Sequence, residues 1–175
     1  EGYSNIALGT LTLSKNFSGF GNISIGNKAM LSNETGSANT SIGTNAMYTQ
    51  TYGDKNTSLG YWSMVDANGG DENTAIGFFS LGKAILSSHN TAIGAQALNT
   101  GTIMQNVTAV GWSCLSKNST NNNTGVGAET LYNTVSGAGN AALGYKALYE
   151  NVIGASNTAV GTESLKNNLV NHNTA

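Results

Sequence analysis

Groups able to do acid, base or nucleophilic chemistry are sparse in this chain: among 175 residues there are two histidines, one cysteine and nine aspartates and glutamates. His89 and His172 each stand directly before an asparagine in a polar stretch. An imidazole there is expected to be a solvated loop side chain rather than a metal ligand or general base. Cys114 has no second cysteine to pair with, and it occupies a position where comparable stretches carry Ala, Ser or Thr. It is expected to be a small buried hydrophobe, not an activated thiolate. Asp54, Asp66, Asp71, Glu72, Glu129 and Glu163 do not repeat at one fixed position from coil to coil. That scatter excludes a calcium-binding roll, which places Asp identically in every coil, and gives no paired carboxylates for glycoside hydrolysis. No catalytic, metal or cofactor-binding residue is therefore assigned, no cofactor is expected, and the chain is read as not an enzyme.

Two other patterns reduce to local structure. Gly-x-Gly fragments such as Gly19 to Gly21 lack the strand-to-helix context of a nucleotide fingerprint and read as turns. Asn-x-Ser/Thr triplets at Asn16, Asn22, Asn33, Asn39, Asn56, Asn106, Asn118 and Asn122 follow from the Asn/Thr-rich composition and are not read as glycosylation sites. The positive candidates are aromatic. Tyr61, Trp62, Phe78 and Phe79 form two doublets, and Trp112 and Tyr145 recur at the first place of the doublet. This patch is expected to pack against a neighbouring chain or over the edge of the roll; as a ligand surface, an exposed aromatic ladder would suit a saccharide.

What positions these residues is a repeat. A glycine preceded by Leu, Ile or Val occurs at Gly9, Gly26, Gly43, Gly60, Gly77, Gly94, Gly111, Gly127, Gly144 and Gly161; every interval is 17 residues except the 16 between Gly111 and Gly127. Four residues after each glycine stands Leu or Met, and two before it only Ala, Ser or Gly. Four before it stands Asn in every unit except at Val107. Fixed periods of this kind are the signature of stacked repeats and govern every other reading.

Composition agrees. Only 39% of residues are hydrophobic and 9% charged, with 23 glycines and no proline. Strict aliphatic columns argue against disorder. A net charge of −2 without a basic stripe speaks against nucleic acid as a partner. No apolar run approaches the roughly 20 residues that cross a bilayer, so membrane insertion is not expected in this segment.

Each unit reads as strand, turn, strand, loop. Thr-Ala-Ile-Gly at residues 91 to 94 alternates faces around a β-branched residue, as a short strand does. The glycine then permits a turn, and a second extended segment is expected to carry the Leu/Met column. Units stacked about 4.8 Å apart would pair backbones and align like with like. The predicted fold is all-β, a parallel β-solenoid of about ten coils forming one repeat domain over residues 1 to 175. Its core is expected to contain Ile25, Ile42, Leu59, Ile76, Ile93 and Val110 from one column and Leu98, Leu115, Leu131 and Leu148 from the other. Stacked Asn side chains should hydrogen-bond along the axis. Proline, which would remove a ladder donor, is absent as this fold requires. So thin an interior calls for association, and the small column before the glycine is expected to be where another copy approaches.

The units Asn90 to Leu98 (NTAIGAQAL), Asn157 to Leu165 (NTAVGTESL) and Asn140 to Leu148 (NAALGYKAL) resemble the NTAIG-type repeats of bacteriophage tail fibres, and are similar to the head repeats of YadA-like trimeric autotransporter adhesins. The resemblance covers the whole chain. It implies a left-handed β-roll, a homotrimer, and a shaft or head reaching toward a host surface. The period of 17 and the Thr three before the glycine depart from the adhesin-head unit, so the phage type fits better. The chain opens and closes inside a repeat, as a fragment of a longer fibre would.

The expected function is thus a structural and adhesive fibre segment, extracellular, on a virion or a bacterial surface. Its partners would be copies of itself and a host-surface glycan or protein. An ice-binding solenoid is the alternative suggested by the column Thr40, Thr57, Thr74, Thr91, Thr108, Thr124 and Thr158, although alternation places it on the same side as the aliphatic column and so argues for its burial. A carbohydrate depolymerase is a further alternative.

Overall fold

The computed structural model describes residues 2–175. Every coil contributes one three-residue strand: β1 Ile6–Leu8, β2 Ile23–Ile25, β3 Thr40–Ile42, β4 Thr57–Leu59, β5 Thr74–Ile76, β6 Thr91–Ile93, β7 Thr108–Val110, β8 Thr124–Val126, β9 Ala141–Leu143 and β10 Thr158–Val160. They form one parallel sheet in which sequence order is spatial order. Register is strict, with Thr74 on Thr91, Ala75 on Ala92 and Ile76 on Ile93. The protein is therefore a β-solenoid, and no helix occurs among the described residues. The single 16-residue interval is absorbed between Lys117 and Asn123, in the loop, because β7 and β8 still pair Thr108 with Thr124.

The strands face the opposite way from the expectation. Their middle residue points into the roll: Ala75, Ala92, Ala109 and Ala159 are fully buried, as are Ser24, Ser41 and Ser58. The flanking residues point out. Leu59 is 44% exposed and Ile93 37% exposed, while Ile25, Ile42, Ile76 and Val110 are half-buried. These six aliphatics are not core residues of the isolated chain. The small column, conversely, is not where another copy can approach. Alternation fixes that Thr and Ile share a face, but not which face lies inside.

Sterics across the roll decide it. Leu98, Leu115, Leu131 and Leu148 are fully buried, together with Met30, Met47 and Leu81, and they fill the interior from the wall opposite the sheet. A Cβ built on Gly125 in the middle of β8 would lie 2.7 Å from the Cys114 sulfur and 3.2 Å from Leu115 Cδ1. Only small residues fit on the strand side, and where Cys114 replaces Ala, glycine faces it.

The opposite wall is not a second strand. After the glycine the chain makes a tight turn in which the core Leu/Met residues are themselves left-handed, with φ from 46° at Met30 to 53° at Leu131. The residue two after the glycine shares that conformation (Lys28, Trp62 and Lys146, for example), as does the one before the Asn column (Ala38, Lys55 and Glu72). Each such non-glycine residue costs roughly 1–2 kcal/mol, offset at the Leu/Met positions by burial of the side chain and at the exposed ones by backbone hydrogen bonds to the preceding coil, as from Lys28 to Thr10 and from Lys55 to Ser37.

The loop half of each coil is held by amides. Asn73 Nδ2 donates to the Ser87 carbonyl (2.6 Å), and its Oδ1 accepts from the backbone N–H of Asn90 one coil on (3.1 Å). The same pair recurs at Asn22, Asn39, Asn56 and Asn140. The Asn ladder thus exists as the repeat predicts, although it links side chain to neighbouring backbone more than amide to amide. At the exception, buried Val107 and Met104 fill the space with apolar atoms. Gly101 makes room, since a Cβ there would sit 2.3 Å from the Met104 sulfur.

Candidate binding groove and aromatic ladder

Outside the strands, two outward-facing columns run along the wall opposite the sheet. One is the residue two after the glycine (Lys28, Asn45, Trp62 and Phe79 in successive coils), and the other follows five and six after it, as in Tyr48-Thr49 and Val65-Asp66. That these columns and the strand face leave opposite sides of the roll follows from contacts across its interior. Ser58 in the middle of β4 hydrogen-bonds to Ser63, and Ser41 Oγ donates to the Ala46 carbonyl (3.1 Å).

Between the two columns lies a groove of about 410 Å³ lined by Lys28, Asn45, Tyr48, Thr49, Trp62, Val65, Asp66 and Phe79. Two of the six aromatics singled out in the sequence, Trp62 and Phe79, reach it. Trp62 and Phe79 lie 6.1 Å apart at a tilt of 53°, and Tyr61 and Phe78 stack beside them at 6.0 Å and 4°. Tyr61 is stacked on Trp62 at 5.2 Å, so the two doublets form one four-ring cluster. Trp112 is exposed and stands two coils beyond Phe78 with Ala95 between, apart from the cluster. The sequence reading missed Lys28, Asn45, Tyr48, Thr49, Val65 and Asp66. Their signal was present: they belong to the columns two, five and six after the glycine, but only knowledge of which side each column faces joins them to the doublets.

Toward the other end the same columns carry charge. Lys146 Nζ lies 3.2 Å from Glu129 and 5.0 Å from the centroid of the Tyr145 ring. Hydrogen bonding to Tyr145 and Glu129 holds the ammonium's pKa above its ordinary value. Glu163 pairs with Lys166 at 2.6 Å, which lowers its carboxyl pKa.

The histidines are in exposed loops. His89 lies 3.5 Å from Glu72, which also binds Lys55 at 3.0 Å. These three occupy the same place in successive coils, and the hydrogen bond from Lys55 lowers the pKa of Glu72. Among the described residues, no three His, Cys, Asp or Glu side chains come together as a metal site would require.

Cys114 is buried, and burial pushes its thiol up to about 12. A thiolate is the reactive species, so the native protein should not react with Ellman's reagent at pH 8, and one thiol should appear on unfolding in guanidinium chloride. Labelling of the folded protein at the rate of a free thiol would contradict the packing of Cys114 against Gly125.

Fold and surface together define a repeat solenoid with an amphipathic groove on one wall and an apolar strand face on the other. No protein-family model, curated protein or solved structure matches the chain.

Proposed function

We propose that the chain is a segment of an extracellular attachment fibre, three copies packed along their strand faces into a rigid shaft or head of the phage tail-fibre or bacterial-adhesin kind, with no catalytic role. The supporting observation is the outward aliphatic row. Leu8, Leu59, Ile93, Leu143 and Val160 are between 37% and 66% exposed, and with the half-buried members of their column they make an apolar stripe down all ten strands. At about 4.8 Å per strand the stripe is roughly 45 Å long, an unusual exposure for a protein that remains alone in water. A surface with a fixed axial period is best matched by one with the same period, and another copy of this solenoid has it. The association forecast from the sequence is kept, but it moves from the small column to the Thr and aliphatic columns. Three copies and a left-handed roll are what the repeat resemblance implies.

Sedimentation equilibrium tests this. The wild-type protein should behave as a species of about 54 kDa, three times the 17.9 kDa chain. The double variant Ile76→Glu/Ile93→Glu should sediment as a monomer with an unchanged β circular dichroism spectrum, because both side chains already face outward. A folded wild-type monomer or dimer would end the trimer proposal.

One observation favours a second reading. The Thr column is outward as well, half-buried to exposed, so an isolated roll would present a regular Thr-x-Ile face to water, as an ice-binding solenoid does. The two readings use the same face and exclude one another. Thermal hysteresis from a monomeric sample would decide for ice.

A further inference from the structure

We propose that the groove between Trp62, Phe79 and Asp66 binds a neutral, hydroxyl-rich glycan chain. This rests on the attachment reading above and names what is held.

Several observations converge on this site. The groove interrupts the repeat. Along the column two after the glycine, eight coils carry Leu, Lys, Asn, Gln, Ser or Glu, and only two consecutive ones carry rings, Trp62 and Phe79. Both rings are held in place. Phe79 lies over Gly82, where a Cβ would come within 3.0 Å of its ring, so the absence of a side chain at that position lets the ring lie flat across the wall. Trp62 is braced by Tyr61 at 5.2 Å. Platforms fixed by packing lose little side-chain entropy on binding.

The polar groups are placed for hydroxyls. Asp66 is exposed, and Asn45 and Thr49 belong to the facing columns one coil earlier. The apolar face of a pyranose can rest on the rings while its equatorial hydroxyls donate to the Asp66 carboxylate and exchange hydrogen bonds with the Asn45 amide. Lys28 at one end and Asp66 near the other bring opposite charges, so the groove as a whole selects neither anions nor cations. Its length matches a chain as well. The lining spans four successive coils, and one pyranose unit advances by about the rise of one coil. A mostly apolar cleft with a few fixed polar groups is the usual form of a small-ligand site. Because the groove lies on the wall opposite the strands, it stays open when the strand face is covered by other copies.

Tryptophan fluorescence provides the test. Trp62 and Trp112 are the two tryptophans; Trp112 is exposed and outside the groove, so Trp112→Phe leaves Trp62 as the sole reporter. Cellopentaose, maltopentaose, mannopentaose and, as an anionic control, oligogalacturonate are titrated into this variant, with light scattering on the same sample. The expected result is a saturable change with at least one neutral chain at a dissociation constant of about 0.1–10 mM. In the same background Phe79→Ala should weaken it at least about tenfold, the loss of one stacking platform, and Asp66→Asn should weaken it several-fold without altering the β spectrum. No saturable change with any neutral chain up to about 10 mM, saturation by oligogalacturonate alone, or binding that Phe79→Ala leaves unchanged would each overturn the proposal. A trimer without sugar binding would remove this inference and leave the fibre; sugar binding by a monomer would remove the trimer and leave the groove.

Discussion

Replacing Gly94 with alanine is expected to destabilise the solenoid by about 3 kcal/mol or more. Two causes combine. Gly94 has φ of +130°, in a region essentially closed to residues with a Cβ. An added Cβ would also lie 2.5 Å from the Gly111 carbonyl oxygen, a backbone atom held by the next coil. The same contact recurs at every glycine of the column up to Gly144, as between Gly77 and the backbone of Gly94, so neither coil can shift without disturbing the next. Gly139→Ala is the control. It too has positive φ, at +70°, but the nearest atom to its Cβ would be 3.7 Å away, and other coils carry Ala38, Ser156 or His172 there in the same conformation. Its cost should stay below about 1 kcal/mol. Thermal unfolding followed by circular dichroism compares the two, and trypsin should cut Gly94→Ala at Lys83 or Lys117 under conditions where Gly139→Ala resists. Equal melting temperatures would show that the glycine column is not what sets the spacing of the coils.

Asn73→Ala should cost about 2–5 kcal/mol. Its side chain donates to the Ser87 carbonyl at 2.6 Å and to Asn56 Oδ1 at 3.0 Å, and accepts from the Asn90 backbone N–H at 3.1 Å. Asn73 and Asn90 are each only 1% exposed, so truncation leaves a buried donor and a buried acceptor facing a cavity. Each unmade bond costs about 1–3 kcal/mol. The natural exception shows what replacing the amide requires: Val107 is accompanied by Met104 and by the Gly101 that admits it, three changes rather than one. Amide hydrogen exchange gives the local reading. The Asn90 N–H should lose protection in Asn73→Ala by at least about tenfold, the equivalent of 1.4 kcal/mol, while the Asn22 N–H, three coils away, should change little.

The period, the strand positions, the turning glycine and the Asn ladder could all be read from the sequence, because each depends on residue type at a fixed place in the unit. The sense of the strand could not. In Thr-Ala-Ile the hydrophobic residue suggests the inside, but the interior is already filled from the other wall by the Leu/Met column, and Ala92 is all that fits against it. The second wall was also hidden: Leu98 and its equivalents are poor choices for left-handed φ, and they adopt it only because the tight turn and the coil above require it. The groove was half legible. The doublets Tyr61-Trp62 and Phe78-Phe79 stood out by type, whereas Asp66 and Lys28 are ordinary surface residues until the two columns are seen to share a wall.

The strict register of the sheet has a consequence for how such a protein can change in size. Since each coil touches only the coil before and the coil after, excising or duplicating one 17-residue unit would bring together two surfaces that already fit. Length can therefore be adjusted in steps of about 4.8 Å, with no compensating change elsewhere. Shifts that are not whole units must be hidden in a loop, as the single 16-residue interval is. Reach becomes a heritable quantity counted in coils, separable from whatever any one coil displays.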